Sequence, residues 1–225
     1  MTYRFFHADP IRKPEDVIDH LAEGKKHWKK GRSAYELAYS WIKAGDIPET
    51  VRKVLDKCEN YKDAQLLEGF FEHNTPLKTR GRDSQTDLLA LVSLKNGLGV
   101  IGVEGKVDEP FGQLVKDWND GSEGKARRLS VLLEVLQIDR GEADDLRYQL
   151  FHRTAASIFE AQRYGAKQAL MLVHSFSQVD ASFDDFVRFA KALGTLVVAP
   201  DNVYPEVRLG GVRLRLGWVK DKPRD

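Results

Sequence analysis

One cysteine in 225 residues, Cys58, is too few for an internal disulfide or a cysteine-rich zinc site. Charge of one sign is also missing. Thirty-five Lys and Arg stand against 34 Asp and Glu, so a globally basic nucleic-acid coat is excluded, although a local basic face is not. Long hydrophobic runs are absent. Stretches such as Leu88 to Leu94 fall far short of the ~18 residues of a membrane span. No Gly-rich phosphate loop or dinucleotide fingerprint appears, and no G-x-S-x-G elbow accompanies His174, Ser175 and Ser177. MTYRFFHADP lacks a long apolar segment, so no secretory signal is expected there. Scarce cysteine and no visible signal make a reducing cytoplasm the default expectation. What is present, 42% hydrophobic and 10% aromatic residues, describes a folded domain with a real core.

The order of elements predicts a mixed α/β sheet flanked by helices, preceded by a helical segment over residues 1–58, with the core over 59–225. Pro14 with Glu15 and Asp16 reads as a helix start. Ser33 and Glu36 read as a capping box, ahead of an apolar stripe that ends at Gly45. A helix is expected from about Lys62 to His73, which would carry Glu68 and Glu72 on one face. Two alternating stretches, Asp87 to Lys95 and Val100 to Asp108, flank Asn96-Gly97 and predict an antiparallel hairpin with a type I′ turn. Helices are expected from Lys125 to Ile138, from Ala143 to Tyr164 and from Ser182 to Leu193. Short strands are expected over Ala169 to Val173 and Leu196 to Val198, with a late edge strand over Val212 to Trp218.

Chemistry concentrates in the hairpin. On its second strand Glu104, Lys106 and Asp108 share one face, because strand side chains alternate. A carboxylate and an ammonium on an otherwise apolar strand cost desolvation unless paired or bound. Asp87 opens the partner strand and lies within about two residues of the position opposite Glu104, close enough to share an ion. A hard cation such as Mg2+ wants a few such oxygens plus waters.

Asp87 followed by Glu104-Gly105-Lys106 after a hairpin resembles the PD-(D/E)XK nuclease superfamily, over roughly Lys62 to Val198. The neighbourhood VEGKVDEPFG and RYQLFHRTAASIFEAQRYGAKQALMLVHSF also resembles an uncharacterised bacterial protein family. The superfamily resemblance implies a restriction-endonuclease-like sheet and a nuclease activity dependent on Mg2+ or Mn2+. By that resemblance Asp87 and Glu104 would bind metal and Lys106 would assist the attacking water. Glu68 would supply an additional acid and Gln149 a polar support. The triplet alone decides little, since acid-x-Lys also occurs at Glu23 and Glu123; only Glu104 ends a strand behind a hairpin that starts with an acid. Thr86 stands where the motif has proline.

Two basic features fit a nucleic-acid partner. KKHWKKGR holds Lys25, Lys26, Lys29, Lys30 and Arg32 around Trp28. It reads either as a solvated helix end or as a phosphate-contacting patch with a stacking aromatic. Arg153 shares a helical arc with Gln149, His152, Ala156 and Glu160 and could hold a phosphate. The alternative to a nuclease is a non-catalytic module on the same fold, binding nucleic acid or a protein partner.

Overall fold

The computed structural model describes residues 3–22, 24–26 and 28–224. His27 of the basic run and Glu23 of the first acid-x-Lys triplet lie outside the described residues. In chain order the strands are β1 (Phe5–Phe6), β2 (Gln65–Thr75), β3 (Ser84–Leu94), β4 (Gly97–Lys106), β5 (Gln168–Ser175), β6 (Asn202–Val203), β7 (Val207–Leu209) and β8 (Val212–Lys220). The α-helices are α1 (Ser33–Ala44), α2 (Glu49–Leu55), α3 (Val115–Trp118), α4 (Glu123–Leu136), α5 (Arg140–Ala143), α6 (Tyr148–Arg163) and α7 (Phe183–Ala192).

The strands form one mixed sheet in the order β1-β2-β3-β4-β5-β8-β6, with β7 also on β8. β2, β3 and β4 make an antiparallel meander; β4, β5 and β8 run parallel. The parallel part needs crossovers, and helices α6 and α7 lie within them. Apolar residues cover both faces. Along β3, Leu89 and Leu91 join the core under α4, α6 and α7, whereas Leu88, Ala90 and Val92 join the core under α1 and α2. Alternation thus sorts one strand into two cores.

The hairpin forms, with Leu94 opposite Gly97. Its turn differs from the expected one. The turn residues are Lys95 and Asn96, and positive φ (113°) falls on Gly97 alone, so no type I′ turn is present. This is the pattern of a turn closed by a glycine bulge. Gly102 has a different role. A Cβ there would run into Ser157 Oγ, so its lack of a side chain lets α6 lie close on β4.

Several expectations are corrected. Residues 65–75 are a strand rather than a helix. Apolar residues at 66, 67, 70 and 71 imitate helical spacing because β2 is covered on both faces in part of its length. A bulge between Leu66 and Glu68 also shifts its phase. Leu196 to Val198 forms no strand; Leu196 and Val198 are 72% and 75% exposed, with only Val197 turned inward. β8 is interior to the sheet rather than at its edge, flanked by β5 and by β6 and β7. The long helix expected from Ala143 starts at Tyr148. Ser33 lies inside α1 and does not cap it; Glu36 instead accepts backbone N–H groups from Gly31 (2.7 Å) and Arg224 (2.9 Å). The N-terminal segment is not wholly helical, since β1 extends the sheet by pairing with β2. Pro14–His20 is a 3-10 helix.

Candidate active site

At one end of the meander, β2, β3 and β4 each turn a carboxylate toward α6. Asp87 stands one step beyond the Leu88–Val103 pair, opposite Glu104. Glu72 lies between the Phe71–Leu88 and His73–Thr86 pairs, hence opposite Asp87. Glu72 also adopts φ 52° within its strand. Such a conformation costs about 1–3 kcal/mol and persists only where surroundings over-determine it, often at functional sites.

Cations come from β4 and from the first turns of α6. Lys106 Nζ donates to Glu104 Oε1 (2.9 Å) and to Gln149 Oε1 (3.0 Å). Gln149 Nε2 donates to the same Glu104 oxygen (2.7 Å), closing a three-member ring of hydrogen bonds. Arg153 Nε donates to Glu104 Oε2 (2.5 Å), and its other end approaches Asp87 Oδ1 at 3.5 Å. Asp87 Oδ2 accepts the Gly105 N–H (2.9 Å). The Phe111 ring lies 5.0 Å from the Lys106 ammonium.

Three carboxylates therefore face two cations. Glu104 takes most of the compensation: burial pushes its pKa up, but Arg153 and Lys106 outweigh burial and hold it below the usual carboxylate range. Asp87 and Glu72 also feel Arg153, and Asp87 feels Lys106, but for them burial outweighs the cations. Burial, and then the Glu104 charge, raises Asp87 to about 7. Burial, and then the Asp87 charge, raises Glu72 well above its ordinary value. His152 accepts or donates a hydrogen bond with Ser84 Oγ (2.8 Å) and is kept neutral by burial and by the nearby Arg153, Arg128 and Lys106.

Glu72, Asp87, Glu104 and Lys106 floor an open cleft of about 550 Å³, walled by Glu109, Gln149, His152, Trp118 and Tyr148. A second recess continues from it through Ser33, Ala34 and Glu109 and is lined by Lys26, Lys29 and Arg32. The chain matches the family model "Domain of unknown function (DUF6946)" over residues 10–223. It belongs to DUF6946. No curated protein and no solved structure matches it.

The DUF6946 match takes in every residue of the cluster, from Glu72 to Arg153. Of the residues singled out in this DUF6946 chain, Asp87, Glu104, Lys106, Gln149 and Arg153 converge at one place. Glu68 does not. It is exposed on β2, and its charge acts on Tyr164, beyond the far end of α6. Glu72 occupies the position assigned to Glu68; the two share a strand face, and it is the register with β3 that sets Glu72 rather than Glu68 opposite Asp87. Arg153, expected to hold a phosphate, is committed to Glu104 and Asp87 and its side chain is only 11% exposed. Trp28 is half-buried and packs against Tyr35 and Tyr39 (5.3 and 6.2 Å between rings). Lys25, Lys26, Lys29, Lys30 and Arg32 are exposed.

Ser177 Oγ donates to Asp108 (2.7 Å) and accepts the Ala181 N–H (3.1 Å), which makes it a loop-closing serine. His174 is fully buried between Trp41 Nε1 (3.2 Å) and Asp221 (3.1 Å). Both therefore serve the fold beside β5.

Proposed function

We propose that this protein is a divalent-metal-dependent phosphodiesterase acting on nucleic acid, on a restriction-endonuclease-like fold. The observation that carries the reading is a cluster of three carboxylates, Glu72, Asp87 and Glu104, against two cations, with Lys106 lining an open cleft above it. The element order supports it: an antiparallel meander, a helix, then a strand parallel to the last of the three.

A divalent ion needs several oxygen donors free to turn toward it. Among the described residues no group of three or more His, Cys, Asp or Glu stands ready for an ion, and Arg153 and Lys106 already engage both oxygens of Glu104. The excess negative charge nevertheless remains on Asp87 and Glu72, where it is relieved only by a proton or a further cation. Hard oxygen donors of this kind fit Mg2+ or Mn2+, with Asp87 and Glu104 as holders and Glu72 beside them. Such an ion supplies Lewis-acid stabilisation of phosphate charge and makes a water more acidic.

The chain's own groups have separate tasks. Lys106, held by Glu104 and Gln149, points a fixed ammonium at the cleft, where it orients the attacking water or neutralises developing charge. Gln149 positions Lys106. Lys26, Lys29 and Arg32, in the adjoining recess, meet phosphates along the strand. Lys25 and Lys30 add to that field from the same exposed segment.

One observation favours a second reading, a non-catalytic nucleic-acid-binding module. Arg153 already supplies a cation to Glu104 and Asp87, as it would in a chain that has given up its metal. Cleavage of mixed DNA and RNA with Mn2+, Mg2+ or chelator separates the two. The enzyme reading expects metal-dependent cleavage that falls ~10²–10³-fold in Lys106→Ala. Chelator-insensitive cleavage, or equal rates in the two proteins, would overturn it. Binding without any cleavage would favour the module.

A further inference from the structure

On the other side of Trp118 and Tyr148 lies a separate recess of about 570 Å³ that the carboxylate chemistry does not use. Its walls are Trp118, Tyr148, Arg80, Arg82, Lys125 and Arg128. Trp118 and Tyr148 line both this recess and the main cleft, so the two hollows share one aromatic wall.

We propose that this wall is a stacking platform for an unpaired base, and that the strand crossing from the recess into the cleft is single-stranded nucleic acid. The proposal rests on the nucleic-acid reading of the cleft for its ligand class and names the substrate form.

The platform is built in advance of any ligand. Trp118 and Tyr148 stack face to face, 3.7 Å apart with planes 9° from parallel. Arg128 Nε donates to Tyr148 Oη (2.6 Å), and Arg128 also donates to the Arg82 carbonyl (2.6 Å), which ties the 80–82 loop to the rings. Lys125 Nζ lies 5.4 Å from the Trp118 ring, donates to the Trp118 carbonyl (2.8 Å) and is paired with Asp120 (2.9 Å), so the unpaired charge here comes from the arginines. Rings locked at both ends lose little freedom when a base stacks on them. The hydrogen bonds of Arg128 go to neutral groups, and Arg80 and Arg82 are exposed, so the charge beside the rings suits phosphates. The two rings cover each other's inner faces and Tyr148 is buried, with His152 also beside it (5.1 Å), so a base stacks on the outer side of half-buried Trp118, with its flanking backbone beside the arginines. A base inside a duplex has both faces covered by neighbours and cannot use such a wall, whereas an unpaired base can.

The test measures binding in chelator, so that it does not depend on cleavage. Fluorescein-labelled 15-nucleotide single strands of DNA and of RNA, a blunt duplex, and a single strand with abasic positions serve as probes. Single strands should bind more tightly than the duplex. Loss of one stacked base costs roughly 5- to 150-fold in Kd. Trp118→Ala should show that loss on the normal strand and none beyond wild type on the abasic strand, while Trp118→Phe should recover most of it. The abasic comparison on wild type holds even if Trp118→Ala folds poorly. Duplex binding equal to single-strand binding, or indifference of wild type to abasic positions, would overturn the platform. Single-strand preference without cleavage under any metal would uphold it while refuting the nuclease. Metal-dependent cleavage confined to duplex would do the reverse.

Discussion

Replacing Asp87 by Asn should stabilise the metal-free protein at neutral and alkaline pH. The Asp87 carboxyl is held at about 7 by burial and the neighbouring Glu104, against the opposing effects of Arg153, Lys106 and the Gly105 N–H. In an unfolded chain the same group titrates near 3.9. Between those values the folded protein binds the proton more tightly than the unfolded one, so stability falls as pH rises through roughly 4 to 7. A gap of about 3 units at 1.36 kcal/mol per unit gives a penalty of about 4 kcal/mol above pH 7. Because Glu72 and Glu104 share the titration, about 2–4 kcal/mol should be assigned to this one position. Against a typical total of about 5–15 kcal/mol, that is a measurable share. Asn keeps an oxygen to accept the Gly105 N–H and carries no charge. Urea unfolding of both proteins in chelator, from pH 4.5 to 8.5, is the assay. The two should be nearly equal at the acid end and diverge in favour of Asp87→Asn as pH rises. Other carboxylates, such as Asp221 and Glu160, have lowered values and slope the other way. The difference between the two proteins is therefore the quantity to read. A difference that is constant with pH, or a variant weaker than wild type at pH 8, would refute the argument. Saturating Mn2+ should narrow or close that gap, since a native-state ligand at 100 times its Kd adds ~2.7 kcal/mol to wild type alone.

Glu104→Gln should remove that Mn2+ shift and also destabilise by about 3–5 kcal/mol, because it leaves Arg153 and Lys106 buried without their shared counterion; thermal melts with and without metal read both. Lys29→Ala with Lys30→Ala should flatten the salt dependence of nucleic-acid affinity by about 0.7–0.9 in log–log slope for each phosphate no longer neutralised, and an unchanged slope would make the segment a solvated chain end. Gly102→Ala should cost about 1–3 kcal/mol by driving a methyl group into Ser157, and Ser157→Ala in the same protein should restore part of it. The His152 ring should remain neutral down to pH values well below 6.5 in an NMR titration, and an ordinary midpoint would contradict its burial beside three cations.

The carboxylate on β3 and the Glu-x-Lys of β4 were legible because β3 and β4 are joined by a short turn. Turn and alternation together set the register, and Asp87 does stand opposite Glu104. β2 was not legible for the opposite reason. Its bulge and its burial on both sides erase the period of two, and the residues that remain fit a helix as well as a strand. That single misreading moved the third acid from Glu72 to Glu68, since only in a strand paired with β3 does Glu72 face Asp87. The positive φ of Glu72 left no mark in the sequence at all. On α6 the polar arc was visible, but its assignment as a phosphate-facing surface was not. Gln149 and Arg153 lie one turn apart, so both reach the strand ends, and there they meet carboxylates more than forty residues earlier in the chain. Each charge, taken alone, is an expensive buried group. They become tolerable only as a set, three acids from three strands against one lysine and one arginine. The set still falls one positive charge short. A sequence pattern can nominate its members, but the deficit exists only in three dimensions, where burial and the crowding of like charges raise Asp87 and Glu72.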